Sequence, residues 1–383
     1  MLNTSGLYLG PSNAVPLQGS YFISASTDGG HFLLRGLDNK VRAFLNVCRH
    51  REKRILLPKG EGLSHWRGRL TSLTCGGHDW GYGFDGAHVS PKTFMVNGNA
   101  CPIEGDHNLH QVPIEDIGGL YWTGNESQLA DIRELLQSDL LKESGITHFV
   151  PPDYQLHEVW VTHNRFRPDT GMEVFGDISH VLAPSVHGGT LMRFVDPNGL
   201  KLDAPEKSRC GNVQKVPFLK TTDTSKMSDA WRYYREAVLE QSGGETPPYG
   251  AVWIAHYPDG TTIEHFPYAV VVSRFAPDHH TFGTRNVVEF YFSDEILAFN
   301  PDLAVRFIEA YKALAHEDAE LSAEMDLGSM DLSTFGLGNL KSGPAHPIEE
   351  WAVSHYEQWL HARWEEEKKR IVYKRATQML AGT

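Results

Sequence analysis

The sequence is poor in the features of secreted, membrane-spanning or nucleic-acid-binding chains. Four cysteines in 383 residues make no disulfide framework. Lys and Arg number 35 against 48 Asp and Glu, and the formal net charge of -13 excludes the basic footprint that non-specific nucleic-acid binding needs. No apolar run approaches the length of a membrane-spanning helix, and no basic amphipathic face suits a membrane surface. Met1 to Gly10 carries no charged segment followed by an apolar stretch, so no signal peptide is visible. The expectation is a cytoplasmic protein with no nucleic-acid or membrane partner. A GxGxxG fingerprint between a strand and a helix is also missing, so NAD(P)H is not expected to bind this chain directly.

What is present is a globular composition, 40% hydrophobic and 11% aromatic, in a chain long enough for two or three domains. Two of the four cysteines lie in short clips with histidine: Cys48-Arg49-His50 and Cys75-Gly76-Gly77-His78. Two thiolates and two imidazoles would suit a tetrahedral zinc ion. They would equally suit a Rieske 2Fe–2S cluster, in which two His replace two Cys on one iron. The surroundings favour iron. Ala43 to Val47 reads as a strand entering the first clip, and the Gly- and aromatic-rich run Trp80 to Gly86 follows the second. Zinc fingers instead carry their His pair on a helix. Cys101 and Cys210 read as small buried apolar residues.

Both clips, together with Asn46-Val47 and the Trp80 to Gly86 tail, resemble the Rieske ferredoxin-like domain. The spacer from His50 to Cys75 is longer than the usual pattern, which points to a loop insertion around Lys59 to Arg69. Residues 51 to 54 read Arg-Glu-Lys-Arg where the family usually has Arg-Gly. The resemblance assigns Cys48, His50, Cys75 and His78 to the cluster.

Short strands with turn punctuation fill residues 20 to 125. Tyr21 to Ala25 precedes Asp28-Gly29-Gly30; His31 to Leu34 and Val41 to Leu45 flank the hairpin signal Asp38-Asn39; Gly118 to Trp122 reads as the closing strand. Ser127 to Gln137 has helical spacing, and Pro151-Pro152 is a local breaker. This divides the chain into residues 1–150 and 151–383. In the second part Ala251 to His256, Ala269 to Phe275 and Asn286 to Phe292 read as strands of an antiparallel sheet. Leu303 to Met325 (with Val305, Ile308, Tyr311 and Leu314) and Pro347 to Met379 read as helices, the charge run Glu365 to Arg370 being a solvated face. Periodicity alone gives an α+β fold.

A second constellation lies in that part. Asp177 and His180 are three apart, which on a helix puts them on one face, and His187 lies seven beyond, past Pro184 as a helix breaker. Two imidazoles and a carboxylate with open positions form the facial triad of non-haem iron oxygenases. The segment resembles the Asp-x-x-His…His motif of Rieske non-haem iron oxygenases, with six residues between the His where four are more common. The resemblance implies an all-β Rieske domain followed by a helix-grip catalytic domain. It makes His180 and His187 iron ligands and Asp177 a bridge to the second cluster His of a neighbouring subunit. The third ligand is expected in His316-Glu317-Asp318-Ala319-Glu320 at Asp318, with Glu317 and Glu320 as alternatives.

The implied function is that of a terminal oxygenase: a 2Fe–2S cluster, mononuclear Fe(II), O₂ as co-substrate, and NAD(P)H electrons arriving through a separate reductase or ferredoxin. A homotrimer is also implied. His ligation lifts cluster potentials to roughly -150 to +300 mV, so uptake from such carriers runs downhill. An aromatic or heteroaromatic acid, hydroxylated or demethylated, is the leading substrate class, and a quaternary ammonium compound held by cation–π contacts is the alternative. Phe194, Phe275, Phe282, Phe290 and Phe292 are candidates for pocket or core. A non-catalytic Rieske electron carrier or a zinc-stabilised binding module would lack the second constellation or the iron.

Overall fold

The computed structural model describes residues 6–59, 62–96, 99–177, 180–181, 184–187, 194, 206–220, 224, 227–278, 281, 283–335 and 351–381. The strands of residues 7–123 form small antiparallel sheets. The largest has five strands in the order Gln111–Val112, Val41–Leu45, His31–Arg35, Ser20–Ile23 and Arg67–Arg69. The hairpin at Asp38-Asn39 forms as expected, and Asn39 takes the left-handed backbone (φ 63°) that Asn tolerates better than most residues. The expected loop insertion is partly regular: Arg67–Arg69 adds an edge strand against Ser20–Ile23. The closing strand Leu120–Thr123 pairs with both Leu7–Pro11 and Glu115–Ile117. A three-stranded sheet, Leu73–Cys75, Trp80–Tyr82 and His88–Ser90, carries the second clip at its first turn.

Two helices, α1 (Glu126–Leu136) and α2 (Asp139–Glu143), lead to the second half. α1 begins in a capping box: the Asn125 side chain accepts from the Gln128 N–H, and Gln128 reaches back to the Asn125 N–H. There a single antiparallel sheet has seven strands: Tyr154–Asn164, Thr284–Ser293, Ala269–Pro277, Thr261–Phe266, Ala251–His256, Gly211–Val216 and Glu206–Ser208. Among the described residues no strand is shared with the sheets of residues 7–123. Both faces are covered. Ile254, Ile263, Val270, Val272, Val287 and Tyr291 pack with Tyr8, Trp122, Ile132 and Phe149 of the first half. Trp253, Phe266, Val271, Val288, Phe290 and Phe292 face the helices. Side chains alternate across a strand, so this double burial removes the apolar–polar pattern that marks a half-exposed one.

On the second face lie α3 (Pro168–Gly176), α4 (Pro184–His187), α5 (Asp229–Gln241), α6 (Asp294–Phe299), α7 (Pro301–Thr334) and α8 (Trp351–Ala381). α7, with Pro at its first position, spans roughly 50 Å. It buries Leu303, Ala304, Phe307, Ile308, Ala310, Tyr311 and Leu314. Val305, expected with that stripe, is 50% exposed because its position points away from the 303–307–311–314 face. The sheet gripping one long helix is the α+β, helix-grip arrangement. Tyr356 of α8 is buried beside Tyr257, and Glu366, Glu367 and Lys368 are exposed. Residues 347–350 of the expected last helix lie outside the described residues.

Buried polar contacts fix the halves against each other. The Arg285 guanidinium donates to the Ala25 carbonyl at 2.7 Å, and Arg274 donates to the Ser26 carbonyl. The Tyr8 N–H donates to Asp259 at 3.0 Å, and Asp259 also holds His256 at 2.7 Å. Among the described residues no helix is long and apolar enough to cross a membrane.

Candidate active site

The first clip leaves the strand Val41–Leu45, and its loop is tied from behind by Asn46, which is fully buried. The Asn46 amide donates to the Gly29 and Leu56 carbonyls at 2.8 and 2.7 Å, and its carbonyl accepts from the Ile55 and Leu56 N–H groups at 3.0 and 2.9 Å. The Cys48 N–H donates to the Lys53 carbonyl and the Asp79 N–H to the Cys75 carbonyl, so each clip closes on itself as a tight turn. Four donors meet there. Cys48 and Cys75 are buried free thiols, and the His50 and His78 rings lie edge to face with centroids 4.6 Å apart. Trp80 stacks on His50 at 4.8 Å and on His88 at 4.4 Å.

The Tyr82 hydroxyl accepts from the Arg49 N–H at 3.1 Å and lies 3.2 Å from the Cys48 sulfur, where it can donate to a thiolate. Burial raises the Cys75 thiol, and nearby Cys48 adds to the rise, since two adjacent thiolates repel. A metal cluster relieves that repulsion, so the donors fit an iron–sulfur group. His78 and its neighbours Gly76, Gly77 and Asp79 are exposed, which turns this corner toward solvent.

In the second constellation the structure differs from a shared helix face. α3 ends at Gly176, with Asp177 as its cap, and Pro184 opens α4 where it was expected to break a helix. His180 therefore comes from the connection and His187 from the last residue of α4. Each ring is held at Nδ1: His180 donates to the Asp177 backbone carbonyl, and His187 donates to Glu317 at 2.7 Å. Both Nε2 atoms then converge on the Asp318 carboxylate, at 3.2 Å from His180 and 3.0 Å from His187. One ligand atom from each of these residues falls within 4.8 Å of the others. The His187 side chain is fully buried. Burial alone would lower its pKa, yet the carboxylates of Asp318 and Glu317 push it up to about 9. Burial opposes ionisation of Asp318, and the two imidazoles bring it down to about 2. An anionic oxygen facing two imidazole nitrogens, whose other nitrogens are anchored, fits a divalent metal of the two-His, one-carboxylate type.

Of the alternatives to Asp318, Glu317 turns to the far side of His187. Glu320 points out to solvent, where His316 is its partner at 3.5 Å. Asp177 places its own carboxylate 3.9 Å from His180 Nδ1 and remains partly accessible.

The metal-type cluster opens into space between sheet and helices. A cavity of about 40 Å³ is lined by Phe175, His180, Val181, His187, Trp253, Glu264, Leu314 and Asp318. Glu264, Phe175, Leu314 and Asp318 are shared with a neighbouring cavity of about 90 Å³, which extends past Trp160, Asn164, Phe275, Asn286 and Tyr311. Among the described lining residues there is no Lys or Arg. Burial raises the Glu264 carboxyl to about 8, with the Tyr311 hydrogen bond opposing and the Asp318 charge adding. Of the described candidate phenylalanines only Phe275 lines this space. Phe194, Phe290 and Phe292 belong to the core under α7, and Phe282 lies outside the described residues.

Sequence reasoning missed Tyr82, Glu264 and the orienting role of Glu317. A tyrosine two residues after Trp80 was visible in the clip's tail. Glu264 left no pattern, because every residue of Thr261–Phe266 is buried.

No protein-family model matches the chain. Putrescine 2-hydroxylase of Bordetella bronchiseptica is 29% identical over 364 residues, covering 93% of this chain and 78% of the relative. Putrescine 2-hydroxylase of Ralstonia nicotianae is 29% identical over 355 residues, covering 92% and 87%. Among solved structures, a quaternary ammonium Rieske monooxygenase concerned with carnitine oxidation by gut microbiota superposes with a TM-score of 0.65 at 17% identity, covering 95% of this chain and 90% of that one.

Proposed function

We propose that this chain, with the architecture and both donor sets of a Rieske non-haem iron oxygenase (an oxidoreductase with a 2Fe–2S cluster and a mononuclear iron), hydroxylates a C–H bond of a small, positively charged aliphatic amine. The observation that carries this reading is the cavity that opens on His180, His187 and Asp318 with carboxylates and no Lys or Arg among its described walls. Away from the iron ligands, an aromatic acid would bring its carboxylate beside the buried Glu264 with no described Lys or Arg to meet it, so the aromatic-acid reading is less favoured. The space is also small. At 10–15 Å³ per water-sized group, about 90 Å³ takes roughly six to nine such groups, the scale of a short aliphatic chain. The likeness to proteins named putrescine 2-hydroxylase supports the same class. A quaternary ammonium substrate is the second reading, favoured by the aromatic faces of Trp160, Phe175, Phe275 and Tyr311.

The overall reaction is R–H + O₂ + 2 e⁻ + 2 H⁺ → R–OH + H₂O, with both electrons from a separate reductase or ferredoxin. When bound, the cluster supplies electrons one at a time and the iron supplies the site where O₂ is reduced. The chain's own residues divide the remaining work. Cys48, His50, Cys75 and His78 hold the cluster, and Tyr82 steadies the Cys48 sulfur. His180, His187 and Asp318 hold the iron, and the Asp177 carbonyl and Glu317 keep each imidazole with Nε2 inward. The Asp177 carboxylate is the link by which a neighbouring copy delivers electrons, since Asp177 is accessible and His78 exposed. That role needs a ring of copies, a homotrimer in which Asp177 meets the partner subunit's His78. Residues 1–150 form the cluster domain and 151–383 the iron domain, and four cysteines, two of them holding the cluster, suit a reducing cytoplasm.

The test is reconstitution with Fe(II), a reductase and ¹⁸O₂, using 1,4-diaminobutane, a trimethylammonium analogue and a benzoate-type acid as substrates. The expected product is an amino alcohol carrying one ¹⁸O. Hydroxylation of the acid with none of either amine would overturn the proposal.

A further inference from the structure

Glu264 stands on the strand Thr261–Phe266, between Trp253 and Val271 of the neighbouring strands. It is 4% exposed, yet it lines both the cavity at His180, His187 and Asp318 and the longer one beyond. The Tyr311 hydroxyl donates to its carboxylate at 2.6 Å. Among the described residues no Lys, Arg or His comes within 4.0 Å of that carboxylate. The other deeply buried acid on this sheet, Glu289, is handled differently: Tyr8 and Tyr291 both donate to it from the opposite face, away from these cavities. A carboxylate buried without a cation is costly, and a cavity at its side leaves room for a cation to arrive as ligand.

We infer that Glu264 is the seat of the substrate's ammonium group, receiving the N–H donors of a protonated primary amine while Tyr311 holds the carboxylate in place. The inference rests on the amine reading above and sharpens it. A primary ammonium offers charge-assisted hydrogen bonds to a carboxylate, whereas a quaternary one has no N–H to give. Glu264 therefore selects the primary amine over the trimethylated compound. The position also sets which carbon reacts. The cavity between Glu264 and the His180, His187 and Asp318 cluster, about 40 Å³, takes only roughly three water-sized groups. The carbon hydroxylated thus lies close to the anchored nitrogen, and the rest of the chain runs into the longer cavity past Trp160.

The experiment is anaerobic calorimetric titration of the metal-loaded protein with 1,4-diaminobutane and with its N-trimethyl derivative, in wild type, Glu264→Gln, Glu264→Asp and Tyr311→Phe. Glu264→Gln is expected to weaken diamine binding roughly 10- to 100-fold and erase the preference over the trimethylated compound. Glu264→Asp should restore part of it, and Tyr311→Phe should weaken it less. Iron content and the cluster's EPR signal should stay at wild-type values. Equal diamine affinity in wild type and Glu264→Gln overturns the inference while leaving amine hydroxylation intact. Should Glu264→Gln not fold, unchanged affinity in both Glu264→Asp and Tyr311→Phe overturns it as well. A wild-type protein that hydroxylates an acid and binds no amine overturns the proposed function itself.

Discussion

Replacing Glu317 isolates how much of the iron site depends on an orienting partner and how much on the ligands themselves. His187 is fully buried, and its Nδ1–H donates to Glu317 Oε2 at 2.7 Å while Nε2 faces Asp318 at 3.0 Å. A hydrogen bond to a charged group is worth about 1.5–3 kcal/mol, most of it lost when the acceptor is deleted inside a protein. Since 1.4 kcal/mol is a factor of ten, that corresponds to roughly 10- to 100-fold in metal affinity, the range found when such outer partners are removed. Glu317→Ala is therefore expected to weaken Fe(II) or Co(II) binding by that factor. Glu317→Gln, which keeps a neutral acceptor, should fall between Ala and wild type. Metal competition against a chelator gives the affinity directly, and the EPR signal of the reduced cluster reports that the distant centre is intact. Wild-type affinity in both variants would refute the orienting role. Loss as complete as in Asp318→Ala would instead make Glu317 a ligand.

Asp318→Ala or His180→Ala should remove the mononuclear iron and leave the two cluster irons, read by metal analysis and EPR. Asp177→Asn should keep both metal centres yet abolish reductase-driven turnover; turnover at the wild-type rate would sink the relay. Tyr82→Phe removes the hydroxyl at Cys48 Sγ (3.2 Å) and should lower the cluster potential by roughly 40–60 mV in film voltammetry, the equivalent of about 1 kcal/mol per electron. The buried His256–Asp259 pair (2.7 Å) supplies a pH dependence. Burial would lower the His256 pKa, but Asp259 outweighs it and carries it up to about 9. A folded-state value above the unfolded one near 6.5 means that the pair's contribution is complete below pH about 6.5 and disappears as pH rises through about 9. It amounts to roughly 3 kcal/mol at 1.36 kcal/mol per unit. Urea midpoints measured from pH 6 to 10 should fall in wild type and lose that slope in His256→Gln.

The two clips were legible because each is local. Cys48 and His50, like Cys75 and His78, sit in one turn, and short strands on either side leave the loops little freedom. The core face of α7 was legible for a similar reason: a period of 3.6 residues writes itself into any helix with one buried side. Three of the sheet's seven strands were recognisable, those at 251–256, 269–275 and 286–292, but not which face is which, since Ala251–His256 and Thr284–Ser293 are buried on both sides. Asp177 and His180 read as one helix face because their spacing matches a turn, whereas the chain leaves the helix at Gly176.

By itself the sequence determined the donor set: two thiols and two imidazoles in paired turns, two further imidazoles, and an acidic turn on a long helix. These are residue identities at short spacing, and no distant contact is needed to state them. Only the tertiary structure decided which acid of that turn faces the imidazoles. Successive residues of an α-helix point about 100° apart. Glu317, Asp318 and Glu320 therefore leave α7 toward the back of His187, toward both Nε2 atoms, and toward solvent. That choice depends on where α3, α4 and α7 cross the sheet. So does the placing of Glu264 beside the same cavity, because a carboxylate's surroundings are set by packing between elements far apart in the chain.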